Sequence, residues 1–244
     1  MIVPWIYFVL QHFKMPTNSA TLWIIPTPLG HLGDFSVRAL ETLKHLTVVA
    51  AEDTRNVRKI YSHFEIPTPE LIRCDEACER RTAQQIIERL GTGTDVGFVT
   101  DAGTPCVSDP GWRLVDSVTQ AGFAVIPLTG PSAVTTALSV CHFPTTPFMF
   151  QGFLDRKEGR RKKEMQTMLD FSGASVFFES PHRIQRTMQE LAVLAPERQS
   201  LVGREMTKKF EEYVRGSLLE LSKHMDGKKP LGEYTIVLSP SKIK

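Results

Sequence analysis

The sequence predicts an α/β fold in which a strand–helix pattern runs twice. Three observations carry this. Short apolar runs alternate with segments whose apolar residues recur at helical spacing, a proline-rich stretch interrupts the alternation past the middle, and the pattern resumes beyond it. Helices separating successive strands argue for a mainly parallel sheet with helices on both faces. Parallel strands end on one edge, where open α/β sheets bind ligands.

The first elements follow from Leu22 onward. Leu22-Trp23-Ile24-Ile25 reads as a strand that ends in the turn-rich Pro26-Thr27-Pro28-Leu29-Gly30-His31-Leu32-Gly33-Asp34. Asp34 or Ser36 caps a helix carrying Leu40, Leu43 and Leu46. Thr47-Val48-Val49-Ala50-Ala51 is the next strand, and it runs into Glu52-Asp53-Thr54-Arg55 and a helix from Asn56 to Phe64. A helix from about Glu79 to Leu90 precedes the strand Val96-Gly97-Phe98-Val99-Thr100. That strand opens into Asp101-Ala102-Gly103-Thr104-Pro105-Cys106-Val107-Ser108-Asp109-Pro110-Gly111. This loop is long for a strand-to-helix connection. Its glycines let backbone approach a ligand, and Ser108 or Asp109 is expected to cap the helix that follows. The strand Ala124 to Leu128 exits through Thr129-Gly130-Pro131-Ser132-Ala133 into a helix ending near Val140.

His142-Phe143-Pro144-Thr145-Thr146-Pro147 marks the expected boundary between a domain of residues 21–143 and one of residues 144–240. The second domain starts with a strand at Phe148-Met149-Phe150. The basic run Arg156-Lys157-Glu158-Gly159-Arg160-Arg161-Lys162-Lys163 comes next, then the strand Ala174 to Phe178 with Glu179-Ser180-Pro181-His182-Arg183 at its exit, and a helix to Leu194. Ser200-Leu201-Val202 leads to Gly203-Arg204-Glu205-Met206-Thr207-Lys208. Tyr213 to Gly216, a helix to His224 and a strand from Tyr234 to Leu238 complete the chain.

Residues 1–20 depart from this pattern. Ile2 to Leu10 is largely apolar but has no basic stretch before it and no cleavage site after it, and it is too short to cross a bilayer. They are expected to be a poorly ordered extension, with Met15 an alternative start. A net charge of +2 does not announce a nucleic-acid binder, so any such surface must come from local clustering. Four cysteines without a CxxC pair suit a reducing cytoplasm and give no zinc motif.

The motifs of nucleotide hydrolysis, ordinary dinucleotide binding, serine hydrolases and zinc proteases are all missing. What remains are backbone-rich loops at 26–34, 101–111 and 129–133, able to hold a small polar molecule. Asp53 is the carboxylate at a strand exit with Arg55 close by. It is either a proton acceptor or a surface acid paired with Arg55 or Arg58. His31 and His182 are the other candidate acid–base groups, and each, lacking an obvious partner, is read as a polar loop residue before a catalyst. The run at 156–163 places six positive charges in eight residues. It is either a solvated helix start or a contact for a phosphate backbone.

Taken together, these loops resemble the 16S ribosomal RNA (cytidine 2′-O-ribose) methyltransferases of the tetrapyrrole methylase superfamily. The matching stretches are 26–34, Ala51-Glu52-Asp53-Thr54-Arg55, 101–111, Gly130-Pro131-Ser132-Ala133, Glu179-Ser180-Pro181-His182-Arg183 and Arg204-Glu205-Met206-Thr207-Lys208, collinear from Leu22 to Leu238. The resemblance implies two α/β domains with S-adenosylmethionine in the cleft between them, a homodimer, no metal and a cytoplasmic protein. It implies cofactor contacts at Ala102, Gly103, Thr104, Val107, Ser132 and Ala133, with Glu179, Arg204 and Glu205 from the second domain. It makes Asp53 the proton acceptor with Arg55 as a substrate-phosphate or orienting partner. It also turns Arg156, Lys157, Arg160, Arg161, Lys162 and Lys163 toward RNA within the small ribosomal subunit. Two departures stand out. Asp75-Glu76-Ala77-Cys78 occupies the place of a His-[Glu/Asp]-His-Asn stretch, and Thr129 stands where Pro is common. A tetrapyrrole methyltransferase, or a non-catalytic RNA- or nucleotide-binding module, is the rival reading.

Overall fold

The computed structural model describes residues 20–227 and 229–242. The expected extension, and the question of Met15 as a start, lie outside the described residues except for Ala20. The chain forms two compact units. One takes in the chain up to Thr27 and Phe35–Gly130; the other takes in Pro28–Asp34 and the chain from Pro131 on.

The first unit is a five-stranded sheet of β1 (Thr21–Ile24), β2 (Val48–Ala51), β3 (Glu70–Arg73), β4 (Val96–Val99) and β5 (Ala124–Pro127). Their order is β3-β2-β4-β1-β5 and every pairing is parallel. The apolar runs supply both faces at once, because successive side chains point to opposite sides. Leu22, Ile24, Val48, Ala50, Val96 and Phe98 pack with helices α3 (Glu79–Gly91) and α4 (Trp112–Gln120). Ile25, Val49, Ala51 and Val99 pack with α1 (Val37–His45) and α2 (Thr54–His63). Ser36 caps α1 as one of its two expected candidates, accepting from the Ala39 N–H at 3.1 Å. Strand β3 escaped sequence reading because it is a sheet edge with charged ends and no apolar run.

The second unit holds β6 (Phe148–Phe153), β7 (Ala174–Glu179), β8 (Gln199–Arg204), β9 (Glu212–Ser217) and β10 (Tyr234–Leu238), in the order β6-β7-β10-β8-β9. Only β6 and β7 pair in parallel, so the pattern does not simply repeat: the other three pairings are antiparallel. The link from β8 to β9 is too short for a crossover, and β10 fills the slot between β7 and β8. Helices α6 (Glu158–Asp170), α7 (Ile184–Leu194) and α8 (Leu218–Met225) cover one face through Met165, Met188, Leu191 and Leu221. Helix α5 (Ala133–Ser139) covers the other through Val134 and Ala137, against Val176, Leu201 and Val237. That packing moves the change of unit to Gly130/Pro131, where the sequence suggested 143/144. No helix among the described residues is long and apolar enough to cross a membrane.

Candidate functional site

Because the first sheet is wholly parallel, β1, β2, β4 and β5 end on one edge, and the loop at 101–111 leaves from its middle. Thr27 and Gly103 exchange two backbone hydrogen bonds of 2.9 Å, and the Thr27 hydroxyl donates to the Thr100 carbonyl at 3.0 Å. Gly103 takes φ 80°, open to glycine at no steric cost. Cys106 and Ser108 also lie in the left-handed region, at φ 70° and 63°, a conformation that side chains adopt only where surroundings enforce it.

The far end of the loop is held by Glu79 at the start of α3. Its carboxylate is 1% exposed and accepts from the N–H groups of Gly111 (3.0 Å), Arg113 (2.7 Å) and Leu114 (3.1 Å), with the Arg113 guanidinium at 3.3 Å. A buried anion thus satisfies the orphan donors of α4 and complements its dipole. This corrects the expected cap: the N-cap is Gly111, not Ser108 or Asp109, and the carboxylate comes from a helix far away in sequence. The loop is therefore a rigid backbone cradle. Ala102 and Thr104 are half-buried along it and Val107 is exposed.

Asp53 sits next to this loop as the N-cap of α2. One carboxylate oxygen accepts from the Arg55 N–H at 2.9 Å, and the guanidinium grips both, with Nη2 at 2.6 Å. The Arg55 side chain holds the Asp53 carboxyl down at about 2, aided by the Arg55 backbone N–H. The neighbouring Glu52 behaves oppositely. Burial pushes its pKa up, while its Oε2 accepts from the Asp101 N–H at 3.3 Å. Glu52, Asp53, Arg55 and the start of the cradle thus come together within one unit. Sequence reading passed over Glu52 and Glu79, because a single acid carries no motif; for Glu79 the only signal was its place at a helix start.

In the second unit Ser132 is the N-cap of α5 and makes no capping bond through its side chain. Glu179 and Arg204 flank Tyr234 in register at the ends of β7 and β8. Glu179 is 1% exposed, with Ser180 N–H, Thr187 hydroxyl and Arg183 guanidinium on its two oxygens, so it anchors its own turn. Arg204 donates to the Leu231 carbonyl at 2.8 Å. Glu205, at φ 49°, accepts from the Glu233 N–H at 3.0 Å and pairs with Lys208. The stretch Pro28–Asp34 joins this unit through the His31 N–H, which donates to the Thr207 hydroxyl at 3.2 Å. His31 Nδ1 in turn accepts from the Gly33 N–H.

The basic run divides. Arg161 is 3% exposed and bidentate with Glu190 at 2.9 Å, a structural pair rather than a surface for RNA. Lys162 pairs with Glu158 and Arg160 with Asp155. Arg156, Lys157, Arg160, Lys162 and Lys163 are all exposed.

Comparison with known proteins adds independent findings. The family model described as tetrapyrrole (corrin/porphyrin) methylases matches residues 21–222. The chain is 37% identical over 229 residues to the ribosomal RNA small subunit methyltransferase I of Bacillus subtilis (strain 168), covering 94% of this chain and 78% of that one. With the protein of the same name from Vibrio cholerae it shares 42% over 208 residues, 85% of this chain and 72% of that one. The structure of diphthine synthase superposes with a TM-score of 0.69 at 15% identity, covering 92% of each chain. That of uroporphyrin-III C-methyl transferase from Thermus thermophilus, complexed with S-adenyl homocysteine, gives 0.64 at 15%, covering 90% of this chain and 97% of that one. At such identities these structures speak to fold alone.

Proposed function

The chain belongs to the tetrapyrrole (corrin/porphyrin) methylase family, and we propose that it transfers a methyl group from S-adenosylmethionine to the ribose 2′-oxygen of a cytidine in the 16S ribosomal RNA of the small ribosomal subunit. The observation that carries this reading is the 37–42% identity, over most of the chain, to proteins named ribosomal RNA small subunit methyltransferase I.

The cradle fits the cofactor. Gly103 keeps side-chain bulk out of the loop, and a Cβ at Gly111 would run into the Phe98 ring and the Cys106 sulfur, so the backbone lies close and fixed. Within the first unit, Ala102, Gly103, Thr104 and Val107 would hold S-adenosylmethionine. When bound, it supplies a methyl group already activated by a sulfonium charge.

The protein's task is then to align the hydroxyl and take its proton. Asp53 accepts the hydrogen bond of the 2′-hydroxyl, and Arg55 holds that carboxylate in one orientation. A carboxylate near 2 is a weak base, but it suffices here. Once the oxygen shares its lone pair with carbon, its proton is far more acidic than any carboxylic acid. The exposed Arg156, Lys157, Arg160, Lys162 and Lys163 supply sequence-independent attraction for the RNA backbone. A cytoplasmic homodimer completes the proposal.

The test is methyl transfer from labelled S-adenosylmethionine to purified small subunits, comparing wild type with Asp53→Asn and mapping the product by resistance to alkaline cleavage. Label at a cytidine 2′-oxygen that drops at least about a hundredfold in the variant is expected. Subunits left unlabelled while the cofactor binds would overturn the reading.

A further inference from the structure

Beside the Asp53–Arg55 pair the first unit carries an open basin that the reaction above does not use. It lies at the exit of β3, lined by Arg73, Asp75, Ala77, Cys78 and Arg81, and encloses about 320 Å³, the lower end of the range for small-ligand sites. Its place follows from register. Arg73 pairs with Ala51, the residue before Glu52 and Asp53, and the Cys74 N–H donates to the Ala51 carbonyl at 2.7 Å. The basin is thus one strand spacing from the β2 exit.

Its chemistry is that of an anion seat. Asp75 is occupied: one oxygen accepts from the Ala77 and Cys78 N–H groups at 3.1 and 3.0 Å, and the other pairs with the Arg73 guanidinium. That pairing fixes Arg73 in place without cancelling the basin's charge, because Arg81 has no ion pair among the described residues and is exposed. Ala77 and Cys78 line the basin with short side chains, which leaves its volume open. An open, positively charged basin of this size suits one residue of a longer polyanion.

We propose that this basin seats a nucleotide adjoining the methylated one, with Arg73 and Arg81 on its phosphates. Naming RNA as the polyanion rests on the functional reading above. The basin itself is read from its geometry.

The experiment is binding of a short fluorescent single-stranded oligoribonucleotide, followed by anisotropy over a salt series, for wild type, Arg81→Gln and Ala77→Trp. Arg81→Gln is expected to weaken binding several-fold and to reduce the log–log salt slope by about 0.7, the share of one phosphate contact on a single strand. Ala77→Trp, which fills the basin without altering charge, is expected to weaken binding with the slope preserved. Cofactor affinity is expected to stay at the wild-type value in both. Absence of binding by the wild type, or unchanged binding by both variants, would refute the basin; so would an effect confined to a polycarboxylated porphyrin used as competitor. Weakened RNA binding in a protein whose wild type leaves subunits unmethylated would keep the basin and refute the methyl-transfer reading.

Discussion

Asp53 and Glu52 are adjacent carboxylates with opposite environments. Arg55 holds Asp53 at about 2, so it stays ionised through the whole working range. Glu52 has its pKa raised by burial. Its folded state therefore binds a proton more tightly than the unfolded chain does. The ionised form costs stability at neutral pH, and that cost disappears as pH falls through the raised pKa. Glu52→Gln is accordingly expected to raise the melting temperature at neutral pH, with the gain shrinking toward about pH 4 as the wild-type acid becomes protonated. Melting curves of both proteins across pH check this. Residues of one basic run also divide by environment. Arg161→Ala removes both guanidinium bonds of a buried arginine to Glu190, leaves that carboxylate with Arg186 alone at 2.8 Å, and is expected to cost about 2 kcal/mol in denaturant unfolding. Lys163→Ala, at an exposed position, is expected to leave stability within about 0.5 kcal/mol while lowering RNA affinity.

At the scale of elements, one helix start governs the cradle. Glu79 reaches from α3 to the first turn of α4 and answers three backbone donors that have no helical partner. Glu79→Ala would bury those donors unsatisfied beside Arg113. A loss of about 3 kcal/mol or more is expected, together with weaker cofactor binding, since the 101–111 loop loses its anchor at Gly111. Denaturant unfolding and cofactor titration of the variant read the two effects separately.

At the scale of the molecule, the two units do not divide at a single point in the chain. Pro28–Asp34 leaves the first sheet and joins the turn at Thr207 and Lys208, so the second unit is built from two stretches of sequence. A fragment beginning at Pro131 lacks one of them and is expected to melt several degrees below the second unit within the intact chain, as differential scanning calorimetry would show. The sequence by itself determined the α/β class, most strands and helices, and the loops at 26–34, 52–55 and 101–111, because apolar periodicity and turn chemistry are local properties. It also brought Asp53 forward with Arg55, since the two are neighbours along the chain. Only the tertiary structure decided that the second sheet is mostly antiparallel, that Glu79 caps α4, that Arg161 is buried and that β3 closes the first sheet beside Asp53. Each of these depends on partners distant in sequence, where register and burial are set by packing rather than by the residues at hand.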